Sequence, residues 1–302
     1  MSQLITGINA AVVTTFREDG SIDYAAYAAL IKRLIANGVT GIVPCGSTGE
    51  FTDMTIAERK KLIEVSAELV SGTDVLLIPQ TGAVNLHEAK ELTEHALDAG
   101  ADALLVMPPY FCAMDFKEVF GYFEAIAAIS TKPIALYHGP FATGVTWTFD
   151  QVKELGSIDG IELIKDSSGN GNLLGDLVRA ERLGGMQVLN GNDALAFYAF
   201  AQGASSCILG LSNVVPAEMV QLRKELSDGG SLEKAREIWD ALEPLASFSM
   251  RAPYTQVIKA AGNLLGQNLG HHRAPTLPLD ASLRGELEQI VADLRVYIDQ
   301  NA

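Results

Sequence analysis

Ile161-Glu162-Leu163-Ile164-Lys165, preceded by Gly160 and followed by Asp166-Ser167-Ser168-Gly169, is a short, nearly continuous apolar run that ends on a lysine. A run of this length between turn formers reads as a strand buried on both faces, the kind found in parallel sheets. Seven more such runs are spaced along the chain, at 8–14, 41–45, 75–79, 103–107, 134–137, 187–190 and 206–209. Amphipathic stretches separate them. Three of these open with a capping box, Thr55-x-x-Glu58, Asp115-x-x-Glu118 and Thr148-x-x-Gln151, in which side chains take up the first free N–H groups of a helix. After Thr55, Leu62, Val65 and Leu69 make an apolar face opposite Glu58, Lys60, Lys61, Glu64 and Glu68. Asn37-Gly38 and Ala99-Gly100 stop two of the helices. Eight strand–helix units in about 225 residues predict an α/β fold, a (β/α)8 barrel of the TIM type. The alternative is an open doubly wound sheet. Against it, Phe16-Arg17-Glu18-Asp19-Gly20-Ser21 after the first run lacks a Gly-x-Gly-x-x-Gly turn.

Beyond Asp228-Gly229-Gly230 come helical patterns at 232–248, 254–265 and 281–300 with no strand pattern between them. The chain therefore divides into a barrel at 1–228 that carries the active site and a C-terminal helical extension at 229–302. With 302 residues, 48% of them hydrophobic and 20% charged, it has the makings of a large buried core. A net charge of −15 repels phosphate backbones and anionic bilayers, so neither a nucleic acid nor a membrane is expected as partner. A small anionic substrate stays open, because local donors outweigh distant charges that salt screens within about 10 Å. Cys45, Cys112 and Cys207 are odd in number and form no Cys-x-x-Cys pair, which argues against a disulfide framework or zinc cluster. The start of the chain lacks a basic, then apolar leader, and no run reaches about 18 apolar residues. The expectation is a cytoplasmic protein. His87 and His95, eight apart on a helical stretch, and the His271-His272 pair make no metal-ligand pattern, so no metal and no cofactor are expected.

Barrel enzymes carry their chemistry at the C-terminal ends of the strands. Of the eleven lysines, Lys165 alone closes a continuous strand pattern. Apolar surroundings disfavour an ammonium, and a neutral amine attacks a ketone to form a Schiff base. The alternative is a rim lysine paired with Asp166. Tyr137 ends the preceding strand in Ile134-Ala135-Leu136-Tyr137-His138-Gly139-Pro140, from where a phenol can move protons beside an imine. The alternative there is a packed tyrosine with its hydroxyl satisfied by backbone. Gly46-Ser47-Thr48-Gly49-Glu50 follows the second strand, and a glycine turn with two hydroxyls suits a carboxylate. Cys45 is a further candidate nucleophile, although a free cysteine also packs well as a small apolar residue.

Together these segments resemble the dihydrodipicolinate synthase and N-acetylneuraminate lyase family of Schiff-base barrel enzymes. Gly46-Ser47-Thr48-Gly49-Glu50 matches its Gly-x-x-Gly-Glu. Tyr137-His138-Gly139-Pro140-Phe141-Ala142-Thr143-Gly144 matches its Tyr-x-x-Pro-x-x-Thr-Gly, and Gly160 to Gly169 its lysine motif. The resemblance implies that Lys165 forms an imine with a pyruvate-type 2-oxo acid, that Tyr137 relays protons, and that Ser47, Thr48 and Gly49 receive the carboxylate. It implies Ser167, Gly191 and Asp193 as further substrate contacts, and a homotetramer in which Tyr110, Phe111 and Cys112 approach a neighbouring subunit.

The family's synthases carry an arginine where this chain has Ala142, and a second tyrosine where it has Phe111. An alanine removes the bidentate partner for the carboxylate of an amino-semialdehyde. Gly191-Asn192-Asp193 resembles the polyol-holding segment of sialic acid lyases, with Ala194 where they have glutamate. The reaction expected first is therefore reversible aldol cleavage of a 2-keto-3-deoxy sugar acid to pyruvate and an aldehyde. The other expectations are a dehydratase or deaminase working through the same imine, a 4-hydroxy-tetrahydrodipicolinate synthase, and a non-catalytic barrel that binds 2-oxo acids.

Overall fold

The computed structural model describes residues 5–112, 114–227 and 229–301. Asp228, where the barrel was expected to end, lies outside them, as do Met1, Ser2, Gln3 and Leu4. Eight strands alternate with helices: β1 (Gly7–Ala11), β2 (Gly41–Val43), β3 (Leu76–Leu77), β4 (Leu104–Val106), β5 (Ile134–His138), β6 (Ile161–Asp166), β7 (Gln187–Asn190) and β8 (Ser206–Leu209). All pairings are parallel, in the order β3-β2-β1-β8-β7-β6-β5-β4. The two ends of that order meet. Leu105 N–H donates to the Pro79 carbonyl and Thr81 N–H to the Leu105 carbonyl, both at 2.9 Å, and the sheet closes. The fold is the (β/α)8 barrel that the alternation of patterns predicts. The strands β1 to β4 are shorter than the apolar runs that predict them, because residues such as Val12, Val13 and Cys45 leave the ladder while staying buried.

The three capping boxes form as read. Thr55, Asp115 and Thr148 each accept from the N–H three residues on, and Glu58, Glu118 and Gln151 return the bond. The buried face of the helix Ile56–Val70 is broader than the expected one. It is made by Arg59, Leu62, Ile63, Ser66 and Val70, while Val65 and Leu69 are half-buried. The stripe widens because two polar residues find partners inside. Arg59 donates to the carbonyls of Gln80 and Gly82, each at 3.0 Å. The Ser66 hydroxyl donates to the Leu62 carbonyl at 2.7 Å and meets the Tyr27 hydroxyl at 3.0 Å.

The extension forms the helices Leu232–Arg251, Tyr254–Leu264 and Ala281–Asn301. Charge ties it to the barrel. Glu50 makes a buried ion pair with Lys259 and lies 2.9 Å from His272 Nδ1. Lys259 also donates to the His271 carbonyl at 2.6 Å. Arg273 holds both carboxylate oxygens of Glu58, at 2.7 and 3.0 Å, and donates to the carbonyls of Gly20 and Asp53. Both cations lie over the Phe16 ring, at 4.9 Å for the Lys259 amine and 4.5 Å for the guanidinium. Among the described residues no helix is long and apolar enough to cross a membrane.

Removing one partner of a buried ion pair leaves the other charge uncompensated, at a cost of about 3–5 kcal/mol. Lys259→Met is expected to lower stability by that order, read as a fall in the urea midpoint. An unchanged midpoint would show that Glu50 is held well enough by His272 alone.

Candidate active site

In the parallel pairing of β5 with β6, Tyr137 stands opposite Lys165 and His138 opposite Asp166. Successive side chains of a strand point to opposite faces, so each of these pairs shares a face. Lys165 is only 4% exposed, and its amine lies 4.1 Å from the centre of the Tyr137 ring. The Tyr137 hydroxyl is 3.3 Å from that of Ser47. The structure thus brings together the lysine, the phenol and the serine that the three motifs single out.

His138 and Asp166 are engaged in a different way. Trp147 N–H donates to His138 Nε2 at 3.1 Å, which leaves the ring proton on Nδ1, donated to Asp166 Oδ1 at 2.8 Å. The imidazole stacks on the Trp147 ring at 4.9 Å, and Asp166 also accepts from the N–H and hydroxyl of Ser168. Every polar atom of His138 is taken, so this buried pair orders the ends of β5 and β6.

The turn after β2 is a single 3-10 turn, Ser47–Gly49. Its Gly49 and Glu50 N–H groups donate to the carbonyls of Gly46 and Ser47. The N–H groups of Ser47 and Thr48 are the ones this turn does not use. Gly49 lies so close to β1 that a Cβ there would come within 2.9 Å of the Val12 carbonyl oxygen, and its own carbonyl accepts the Thr14 hydroxyl at 2.7 Å. Glu50 takes a left-handed backbone at φ 56° and points away to Lys259 and His272. Cys45 is buried with its thiol against the Arg59 carbonyl, and burial pushes its pKa up to about 11, so it is a packed side chain.

Ser167 donates to the Gly191 carbonyl at 2.9 Å. Gly191 itself makes room for the lysine: a Cβ there would lie 2.8 Å from Lys165 Cε and 2.9 Å from Cγ. Asp193 is buried, with Oδ1 accepting from the Leu211 N–H at 3.0 Å and Oδ2 from the Tyr254 hydroxyl in a short bond. The Tyr254 hydroxyl accepts in turn from the Gly210 N–H at 3.0 Å. Burial raises the Asp193 carboxyl and pushes the Tyr254 phenol well above its ordinary value. Sequence reasoning missed Tyr254. It opens a helix of the extension, and no spacing or motif links it to Asp193, 61 residues earlier. Among the described residues no group of three His, Cys, Asp or Glu side chains could hold a metal ion.

Residues 4–294 match the model of the dihydrodipicolinate synthetase family. The 4-hydroxy-tetrahydrodipicolinate synthase of Methanothrix thermoacetophila is 32% identical over 291 residues, covering 96% of this chain and 97% of its own. That of Syntrophobacter fumaroxidans is 33% identical over 296 residues, covering 97% and 99%. Among solved structures, YagE is a prophage protein of the dihydrodipicolinic acid synthase family from E. coli K12, solved in complex with pyruvate. It superposes with a TM-score of 0.90 at 32% identity, over 97% of this chain and 99% of its own. The chloride-inhibited dihydrodipicolinate synthase of Acinetobacter baumannii, also complexed with pyruvate, gives 0.90 at 28% identity, over 97% and 99%.

A methyl group at 191 would press on the lysine stem and, at 2.1 Å, on Ser167 Oγ. Gly191→Ala is therefore expected to fold but to misplace the amine, and a misplacement of about 1 Å costs roughly 10²-fold in rate. Labelling of Lys165 by a small 2-oxo acid and borohydride, followed by peptide mass spectrometry, should slow by that order. Wild-type labelling would show that the stem moves aside freely.

Proposed function

The chain belongs to the dihydrodipicolinate synthetase family of class I, Schiff-base aldolases, and from that premise we propose that Lys165 forms an imine with pyruvate or a longer 2-oxo acid, beside which a carbon–carbon bond is made or broken. The observation that carries this reading is the buried amine of Lys165 lying 4.1 Å from the Tyr137 ring centre. Pyruvate in the YagE and Acinetobacter complexes supports the substrate class. The amine attacks the ketone carbon, and the carbinolamine loses water to give the protonated imine. When the carbon–carbon bond one atom beyond the imine carbon breaks, its electron pair forms the C=C bond of an enamine, the C=N pair moves onto nitrogen, and the departing carbon's hydroxyl gives up its proton to leave as an aldehyde. Protonation of the enamine and hydrolysis return pyruvate and the free lysine. Tyr137 gives and takes back the proton at the carbinolamine and aldehyde oxygens, and Ser47, 3.3 Å away, extends the relay. Thr48 and the N–H groups of the Ser47–Gly49 turn receive the carboxylate, and Ser167 meets a substrate hydroxyl.

Two readings of the overall reaction remain, each with an observation in its favour. The names of the curated relatives favour the 4-hydroxy-tetrahydrodipicolinate synthase over the sugar-acid lyase that the residues alone put first. Ala142 and Phe111 favour the lyase, since neither supplies the arginine nor the phenol that the synthases carry. Phe111 is 85% exposed, and Tyr110 packs edge-on against Phe51 at 5.4 Å, turned to its own subunit. An exposed phenylalanine beside exposed Cys112 suits a face covered by a second copy, in a homotetramer whose mass sedimentation would report. Three free cysteines suit a reducing compartment, and we place the enzyme in the cytoplasm.

Borohydride reduction with pyruvate should add one reduced pyruvyl group to the intact chain, and Lys165→Ala should abolish the adduct. No added mass in the wild type would favour a non-catalytic binder. Tyr137→Phe keeps the ring and removes the proton-bearing oxygen, so turnover should fall by about 10² to 10⁴ while a slow adduct still forms. Unchanged turnover would return Tyr137 to the role of a packed core residue. Incubation with pyruvate and an amino-semialdehyde, and separately with 2-keto-3-deoxy acids, assigns the reaction. Condensation in the first supports the synthase, release of pyruvate in the second supports the lyase, and a product of the second that keeps every carbon marks a dehydratase.

A further inference from the structure

Phe141, in the short helix Pro140–Thr143 that follows β5, is 69% exposed. An exposed ring is by itself ordinary, and its position is what matters here. A Cβ on Gly139 would stand 3.4 Å from Phe141 Cε1, 3.3 Å from Tyr137 Cε2 and 3.6 Å from Tyr137 Cζ, the carbon that bears the hydroxyl. The two rings therefore border one notch, which Gly139 leaves open and where a single carbon touches both. The same phenol has the Lys165 amine 4.1 Å from its ring centre and its hydroxyl 3.3 Å from that of Ser47. We propose that Phe141 is a specificity-determining residue. Its ring and the notch receive the group carried by the carbon that leaves as the aldehyde, and that group is apolar, so the substrate is a 4-hydroxy-2-oxo acid with an aromatic or branched aliphatic group on C4. This rests on the reading of Lys165 as the imine-forming lysine and of Tyr137 as its proton relay.

The polar groups around the notch point the same way. Gly139, Pro140, Phe141 and Ala142 bring no polar side chain, and the next hydroxyl, that of Thr143, is buried and donates to the Gly139 carbonyl at 3.2 Å. Past the ends of β6 and β7, Ser167 gives its proton to the Gly191 carbonyl, and both oxygens of Asp193 already accept, from the Leu211 N–H and the Tyr254 hydroxyl. Asn192 keeps a buried Oδ1 without a partner, an acceptor for one donor. These groups serve one or two substrate hydroxyls. A polyol chain brings a hydroxyl on every carbon, and each one that is buried without a partner gives up its hydration for nothing. An apolar group loses no hydrogen bond to water there and covers the exposed ring. The step itself stays balanced. Cleavage between C3 and C4 leaves the bonding pair with the pyruvate enamine, the C4 hydroxyl passes its proton to Tyr137 and becomes the aldehyde oxygen, and no oxidant or reductant is needed. The water released on forming the imine is taken up again when the imine is hydrolysed.

The test runs the reaction towards condensation. The full-length enzyme is given pyruvate with benzaldehyde, isobutyraldehyde or glyceraldehyde, and kcat/KM for each aldehyde is read from the loss of pyruvate. In a hydrophobic pocket one methylene more or less changes kcat/KM by about 10- to 200-fold, so the two apolar aldehydes should be used at least about tenfold better than glyceraldehyde. Phe141→Ala should lower that preference by about tenfold, and Phe141→Tyr, which keeps the ring, should retain most of it. Borohydride labelling of the wild type with pyruvate is run alongside. If no label is taken, the reading of Lys165 fails, and that failure is told apart from one of specificity. A labelled wild type that uses glyceraldehyde as well as the apolar aldehydes, or condenses with none of the three, overturns the proposal. So does a Phe141→Ala variant that loses all three activities by one factor. A fall in its sedimentation mass would then show that a second copy of the chain, and not the substrate, covers the ring. Should Phe141→Ala fail to fold, the wild-type ranking of the aldehydes decides.

Discussion

The site depends on the register between β5 and β6. Tyr137 facing Lys165 forces His138 to face Asp166, because side chains alternate along both strands. One parity gathers an amine and a phenol, and the other gathers an imidazole and a carboxylate whose hydrogen bonds fix the ends of the same two strands. A slip of one residue would exchange the pairs and bury the reactive groups under the helices. The His138–Asp166 pair is therefore a reason why the lysine and tyrosine meet.

The extension completes this arrangement from outside the barrel. Glu50 ends the glycine turn after β2, and its left-handed backbone aims the carboxylate at Lys259 and His272. That pair fixes the turn presenting Ser47 and Thr48, while the same helix of the extension carries Tyr254 into the space that Gly210 leaves. Arg273 adds a second tie by holding the Glu58 carboxyl down at about 2, through direct hydrogen bonds above all. The helices after β8 thus shape the candidate site as well as cover the barrel.

Legibility in the sequence followed the range of the forces involved. The eight apolar runs and three capping boxes are local patterns, and they became strands and helix starts within a few residues of where they were read. Lys165 and Tyr137 were visible because each ends such a run. The face of Ile56–Val70 takes in Leu62, Val65 and Leu69 as the pattern predicts, but its extension to Arg59 and Ser66 is decided by Gln80, Gly82 and Tyr27, partners in other elements. Glu50 sits in a motif that reads as ligand-binding, yet its role is set by residues over two hundred positions away, as is plain from its bond to His272. Tyr254 left no mark at all, since an aromatic at the first turn of a helix has many ordinary uses.

Net charge illustrates the same limit from the other side. The chain carries −15 overall, but among the described residues the buried charged side chains are three cations, Arg59, Lys165 and Lys259, and three carboxylates, Glu50, Asp166 and Asp193. The acidic excess belongs to the surface, where salt screens it. Inside, Glu50 meets Lys259 directly, and Asp166 is held by His138 and Ser168. Arg59 lies among carbonyls and over the Phe51 ring, the Lys165 amine lies over the Tyr137 ring, and Asp193 is held by the Tyr254 hydroxyl and the Leu211 N–H. On the proposed reading, an incoming 2-oxo acid adds one negative charge to this interior, and the protonated imine keeps on the lysine nitrogen the positive charge already counted there, so the substrate's carboxylate meets a cation at its own point of attachment.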